Sequence, residues 1–117
     1  ATTNSASSAT WQPLIYTEGD SGELTIASGV ITVTGNYHSV DTEGDASSDD
    51  LATINGGRVG QVLILLAENA GRTVVVKDGT GNIQLDGGDF SLDHTRDSIC
   101  LIWNGSNWLQ IASSNAS

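Results

Sequence analysis

Most of the chain alternates between apolar and polar residues. Leu24 and Ile26 stand on either side of Thr25, and Ile31 and Val33 on either side of Thr32. A period of two marks a strand with one buried and one wet face. Two stretches break this pattern. Val62 to Ala67 reads Val-Leu-Ile-Leu-Leu-Ala without a polar residue, and Val74-Val75-Val76 repeats the feature. Such strands present apolar side chains on both faces, so something must cover the second face.

The remaining elements are strands and turns. Ala27-Ser28-Gly29 separates the first two alternating runs and predicts a hairpin. In "GNYHSVDTE", Tyr37, Ser39 and Asp41 share one parity, and His38 and Val40 the other. A polar loop from Gly44 to Asp50 leads into "DDLATING", where a single helical turn is expected. "ENAGR" joins the two doubly apolar runs as a second hairpin. "DGTGN" and "DGGD" are tight turns. The last hairpin carries the strongest signal: "SICLIW" and "WLQIAS" flank Asn104-Gly105-Ser106-Asn107. Turns recur every 8–12 residues or so, as in an all-β sandwich or barrel. The expected fold is a compact antiparallel β-sandwich or barrel, one domain over residues 11–117. Residues 1–10 hold nothing larger than Thr or Asn and read as a flexible N-terminal arm. Pro13, among Trp11, Leu14, Ile15 and Tyr16, makes that stretch an edge strand or extended strap. "TEGD" occurs at Thr17–Asp20 and Thr42–Asp45, but its surroundings do not repeat.

Charge narrows the possible partners. Four basic residues face fourteen acidic ones, a formal net charge of −10. A chain this acidic cannot build the basic face that nucleic acid requires, and anionic lipid disfavours it too. No run approaches the length of a membrane-spanning helix, and no basic segment precedes an apolar one as in a signal peptide. The opening Ala1-Thr2 suits removal of an initiator Met, so a whole polypeptide is expected. Cys100 is the single cysteine, which excludes an intrachain disulfide. Within "SICLIW" it reads as a small buried hydrophobe rather than a nucleophile.

Candidate chemistry is sparse. His94 lies in "LDHTRD", where Asp93 or Asp97 could orient it as a general base, but no G-x-S-x-G nucleophile accompanies it. It reads as a loop histidine, and His38 as a strand surface residue. Asp41, Glu43, Asp45, Asp49 and Asp50 offer hard oxygen ligands of the kind calcium takes, without the EF-hand order. A solvated loop is the plainer reading. "DGTGN" lacks the Lys of a phosphate loop. Trp103 and Trp108 flank one turn and are expected to pair across it and cap a core, with ligand stacking as the other use. No enzyme activity, cofactor or metal is therefore expected.

The second apolar face leaves two options: central strands in a well-covered barrel, or a neighbouring copy of the chain. A small chain with few charges and no catalytic residues favours the second, with packing around a symmetry axis. Asp49 to Ser113 also resembles a segment of tailed-bacteriophage virion proteins. The marks are "D-L-x-T-I-N-G-G", "G-Q-V-L-x-L", "R-T-V-V-V-K-D-G-T-G-N-I" and "L-I-W-N-G-S-N-W-L". Similar domains occur at the ends of fibres and spikes and as capsid decoration proteins. The resemblance implies a structural virion protein, and the short chain is closest to a decoration, or cement, protein on the capsid surface. Its implied partners are itself, as a homotrimer, and the major capsid protein. Trp11, Leu14, Ile15 and Tyr16 are the candidate capsid contacts. Leu63, Leu65, Val74 and Val76 are the candidate trimer contacts. A receptor- or glycan-binding tip domain of a fibre or spike is the alternative, using turns near Asp86–Asp89 and Trp103–Trp108.

Overall fold

The computed structural model describes residues 22–116. The arm 1–10 and the candidate capsid contacts Trp11, Leu14, Ile15 and Tyr16 lie outside the described residues. The fold is all-β. Its strands are β1 Leu24–Thr25, β2 Val30–Thr32, β3 Tyr37–Asp41, β4 Ser48–Leu51, β5 Thr53–Asn55 and β6 Val62–Ala67. They continue with β7 Thr73–Val76, β8 Ile83–Gln84, β9 Phe90–Leu92, β10 Ser98–Trp103 and β11 Trp108–Ser114. A 3-10 turn at Glu43–Asp45 takes the place of the helical turn expected near Leu51, which is instead the end of β4.

Three sheets form a sandwich. The six-stranded sheet has the order β1-β3-β6-β10-β11-β8, and it faces a three-stranded sheet, β9-β7-β4, and the pair β2-β5. The pairing is mixed rather than antiparallel. Strands β1–β3, β2–β5, β3–β6, β4–β7 and β8–β11 run parallel. Among the described residues, β6–β10, β10–β11 and β7–β9 run antiparallel. The parallel pairs have a common origin. β2, β3 and β4 each lie beside the strand three positions later, with Val30 beside Thr53, Tyr37 beside Ile64 and Ser48 beside Thr73. Two rungs of a coil are thus stacked at a spacing of about 25 residues, within the range of solenoid repeats.

This stacking corrects two of the expected hairpins. The Ala27–Gly29 turn does close, with reciprocal backbone hydrogen bonds between Ala27 and Val30 at 3.0 and 3.1 Å. Ile26 then donates to the Asp41 carbonyl, so β1 joins β3, while β2 leaves for β5. "ENAGR" likewise turns, with the Asn69 side chain accepting from the Gly71 N–H at 2.7 Å, but it carries the chain from one sheet to the other. A local turn signal sets the reversal, and the sheet that the next strand joins is decided by long-range burial. The β10–β11 hairpin forms as expected, with Trp103 opposite Trp108 and a bulge near Cys100/Leu101.

The inner faces make one core. Leu63 and Leu65 of β6, Val74 and Val76 of β7, Ile99 and Leu101 of β10, and Trp108 are all completely buried within the single chain. Each such side chain contributes on the order of 1.5–3 kcal/mol from burial. Leu63, Leu65, Val74 and Val76 are therefore not the trimer contacts they were expected to be. Their parity points between the layers, where their own chain covers them. Trp108 donates its indole N–H to the Ile54 carbonyl at 3.1 Å, and its ring centroid lies 5.2 Å from that of Trp103. The pair caps the core, as the sequence suggests. Gly57 makes the close fit possible, because a Cβ there would press on both indoles.

Candidate interaction surfaces

The outer face of the six-stranded sheet is the first surface. Residues of β6 alternate strictly between buried and half-buried, and Val62, Ile64 and Leu66 point outward. The register aligns them with their neighbours in rows. One row runs Tyr37, Ile64, Cys100, Ala112. A second runs Val62, Ile102, Leu109, and a third Ser39, Leu66, Ser98, Ser114. None of these residues carries a charge. Tyr37 is 48% exposed, and Ile111, the residue left unpaired by the bulge, 54%. Glu68 stands at the rim, where its carboxylate accepts from the Ser39 hydroxyl at 2.6 Å.

Cys100 sits in the middle of this face. The sequence reading placed it inside a core; it is instead half-buried and faces outward. Burial pushes its thiol above the ordinary cysteine value, which disfavours a reactive thiolate.

The second surface is an open cleft of about 680 Å³ at one end of the sandwich. The β2–β3 and β5–β6 connections form it, with Thr34, Asn36, Arg58, Val59 and Gln61 among its lining residues. Gln61 shapes the floor: its side chain donates to the Gly35 carbonyl at 2.9 Å and accepts from the Arg58 N–H at 3.0 Å. Val59 is 78% exposed and lies beside Gly105 at the tip of the last hairpin. Arg72 and Lys77 are ion-paired, to Asp41 and Asp89, whereas the Arg58 guanidinium has no such partner among the described residues. The cleft thus offers an apolar contact and an uncommitted cation. Arg58 and Val59 escaped the sequence reading. Their only signal was a basic residue and an apolar residue between glycines in "GGRVG".

The acidic loop is a structural corner. Arg72 clamps the Asp41 carboxylate through Nε at 2.7 Å and Nη2 at 3.0 Å, and Thr42 adds its N–H at 2.8 Å. The Arg72 hydrogen bond holds the Asp41 carboxyl below the ordinary aspartate value against the opposing effect of burial, and the Thr42 N–H helps. Glu23, partly desolvated and crowded by Glu68 and Asp41, is shifted the other way, above the ordinary glutamate value. Asp49 accepts from the N–H groups of Glu43 and Asp50. Asp41 and Asp49 are thus committed to one guanidinium and to backbone, and no group of three or more potential metal ligands converges among the described residues.

The histidines are both structural. His38 is fully buried, not on the strand surface. Its Nε2 accepts from the N–H groups of Thr34 and Gly35, each at 3.1 Å, so the hydrogen resides on Nδ1 and is donated to the Gly22 carbonyl at 2.9 Å. The ring fastens the start of the described chain to the wall of the cleft. His94 is a loop residue that accepts from the Arg96 N–H at 3.1 Å. Asp97 does not act as its orienter: it is buried, and its oxygens accept from the Asp93 N–H at 3.0 Å and the Ala116 N–H at 2.6 Å. Burial pushes Asp97 up, but the Asp93 and Ala116 hydrogen bonds outweigh it and leave the carboxyl below its ordinary value.

In the turns named for glycan binding, Asp86, Asn104, Gly105 and Ser106 are exposed, and two residues are engaged within the fold. Asp89 pairs with Lys77 at 2.8 Å and accepts from the Asp78 N–H, and Trp108 is inside the core.

Residues 41–109 match the sequence model of the phage depolymerase C-terminal beta sandwich domain. The match covers more than half of the chain and runs from the end of β3 through β10 to the start of β11. The chain belongs to this family. No curated protein and no solved structure matches it. Membership of the depolymerase C-terminal domain family agrees with the sandwich, and it makes the chain a phage virion β domain. It lends no support to the cement role, because the family is described by a depolymerase and not by a capsid protein.

Proposed function

We propose that this depolymerase C-terminal domain is a non-catalytic terminal domain of a phage tail fibre or spike that binds a receptor or glycan. The family match carries the reading. The cleft beside the last hairpin is the part of the surface suited to a ligand, since concave sites with one apolar contact and a few polar groups are the usual form of small-ligand sites. Val59 supplies the apolar contact, and Arg58 and the Asn36 side-chain carbonyl supply polar ones. Among the described residues the histidines and Asp97 are tied to backbone and form no nucleophile–base pair, which supports a binding role. As partner we retain self-association, with a three-fold arrangement, in place of the major capsid protein.

A glycan array with the full chain tests the ligand, with Arg58→Ala as the paired sample. Binding that weakens at least several-fold in the variant supports the cleft. Counting copies per virion tests the place: a few copies agree with the tail, and hundreds would return the protein to the capsid shell.

A further inference from the structure

We infer that the outer face of the six-stranded sheet is an interface between identical copies of this chain. The inference rests on the self-association reading and gives it a location. Three observations carry it. First, the face is apolar across strands and not just along one. Ile64 has Tyr37 and Cys100 as lateral neighbours, and Val62 leads through Ile102 to Leu109. Monomeric proteins rarely expose an apolar patch of this continuity without a use for it.

Second, the three rows carry no charged residue in a chain with a net charge of −10, and the charges on this side of the sheet, Asp41 with Arg72 and Glu68, stand together at one end. Interface centres are depleted of charged residues, with a polar rim. Here Glu68 and Ser39 form part of such a rim. Third, the charge pattern selects the occupant. A basic partner would be matched by an acidic surface, and the centre of this face has none: Asp41 is already paired with Arg72, and Glu68 stands at the rim. Two copies of the same acidic chain repel each other wherever charged surfaces meet. An uncharged face is where they can touch. A glycan would need several uncommitted polar groups, whereas the central row offers the Tyr37 hydroxyl alone.

The test is the solution mass of the full chain and of Ile64→Lys, by light scattering and sedimentation, with circular dichroism to confirm folding. Val75→Lys, on the outer side of β7, is the control. The expected result is a multiple of the 12.1 kDa chain mass for the native chain and for the control, and a folded single-chain mass for Ile64→Lys. If Ile64→Lys fails to fold, Leu109→Lys at the edge of the same face takes its place with the same expectation. A multimer that persists in a folded face variant overturns the inference and leaves self-association standing. A native chain that stays monomeric at high concentration overturns both. A monomer that associates only after removal of residues 1–21 overturns the inference too, because the chain's own segment would then be the occupant. None of these results bears on glycan binding, which the array reads separately.

Discussion

Strands β6 and β7 are the two runs that break the alternating pattern, and their outer faces differ. The outward side chains of β6 lie in rows with Tyr37, Cys100, Ile102 and Leu109. The outward Val75 of β7 lies between Asp50 on β4 and Ser91 on β9. The first is part of a surface; the second is a single valine among polar groups, which needs no partner. An apolar run therefore does not state by itself whether its second face is covered. The strands on either side decide that, and they come from distant parts of the chain. On the inner side the two strands are alike, since both bury their alternate residues in the one core.

The comparison can be broken first at the inner side, where the largest effect is expected. Leu65→Ala should cost about 3 kcal/mol of unfolding free energy in a denaturant melt, the usual range for a buried leucine in a core that cannot collapse around the void. A loss below about 1 kcal/mol would mean that the inner face of β6 is not core.

Next comes the corner where β7 begins. Arg72→Ala leaves the buried Asp41 carboxylate without its cation and should cost about 2 kcal/mol or more. The sign of its pH dependence follows from the direction of the shift. Asp41 titrates lower when folded than when unfolded, so its contribution is present above the ordinary aspartate range, near pH 4, and is lost as pH falls through the folded value. Asp97 acts in the same sense, and Glu23, shifted upward, opposes them. Acid titration of the native chain should therefore show stability falling below about pH 4, and Arg72→Ala should flatten that fall. An unchanged acid slope in the variant would remove the Arg72–Asp41 pair from this role.

The smallest effect separates the two outer faces. Ile64→Ser and Val75→Ser should each change the stability of the isolated chain by about 1 kcal/mol or less. A melting temperature that rises with protein concentration should be seen for the native chain and for Val75→Ser, and should vanish for Ile64→Ser. Equal behaviour of the two variants would erase the distinction.

Much of this fold is visible in the sequence. Alternation and turn residues mark the strands, and Asn104-Gly105 marks the one hairpin whose strands remain partners. The Trp103–Trp108 cap follows from two large rings facing each other across a short turn. Strand partnership is less visible. The parallel rungs join residues about 25 positions apart, and the two "TEGD" tetrapeptides, separated by a similar interval, were the available sign of that period. His38 looked like a surface residue because its alternation with Tyr37 says which residues share a face, and not which face is inside. The same ambiguity sent Leu63, Leu65, Val74 and Val76 to an interface when they belong to the core. The cleft was invisible for another reason: its residues come from two loops, and a loop pattern carries no register.

Cys100 provides the most direct measurement, because its thiol lies in the centre of the outer face with Ile64 beside it. The rate of maleimide labelling of the native chain is followed across a wide range of protein concentration at constant pH. If copies cover this face, labelling slows as concentration rises and reaches the fast limit on dilution. A rate that stays the same over the whole range would contradict the account.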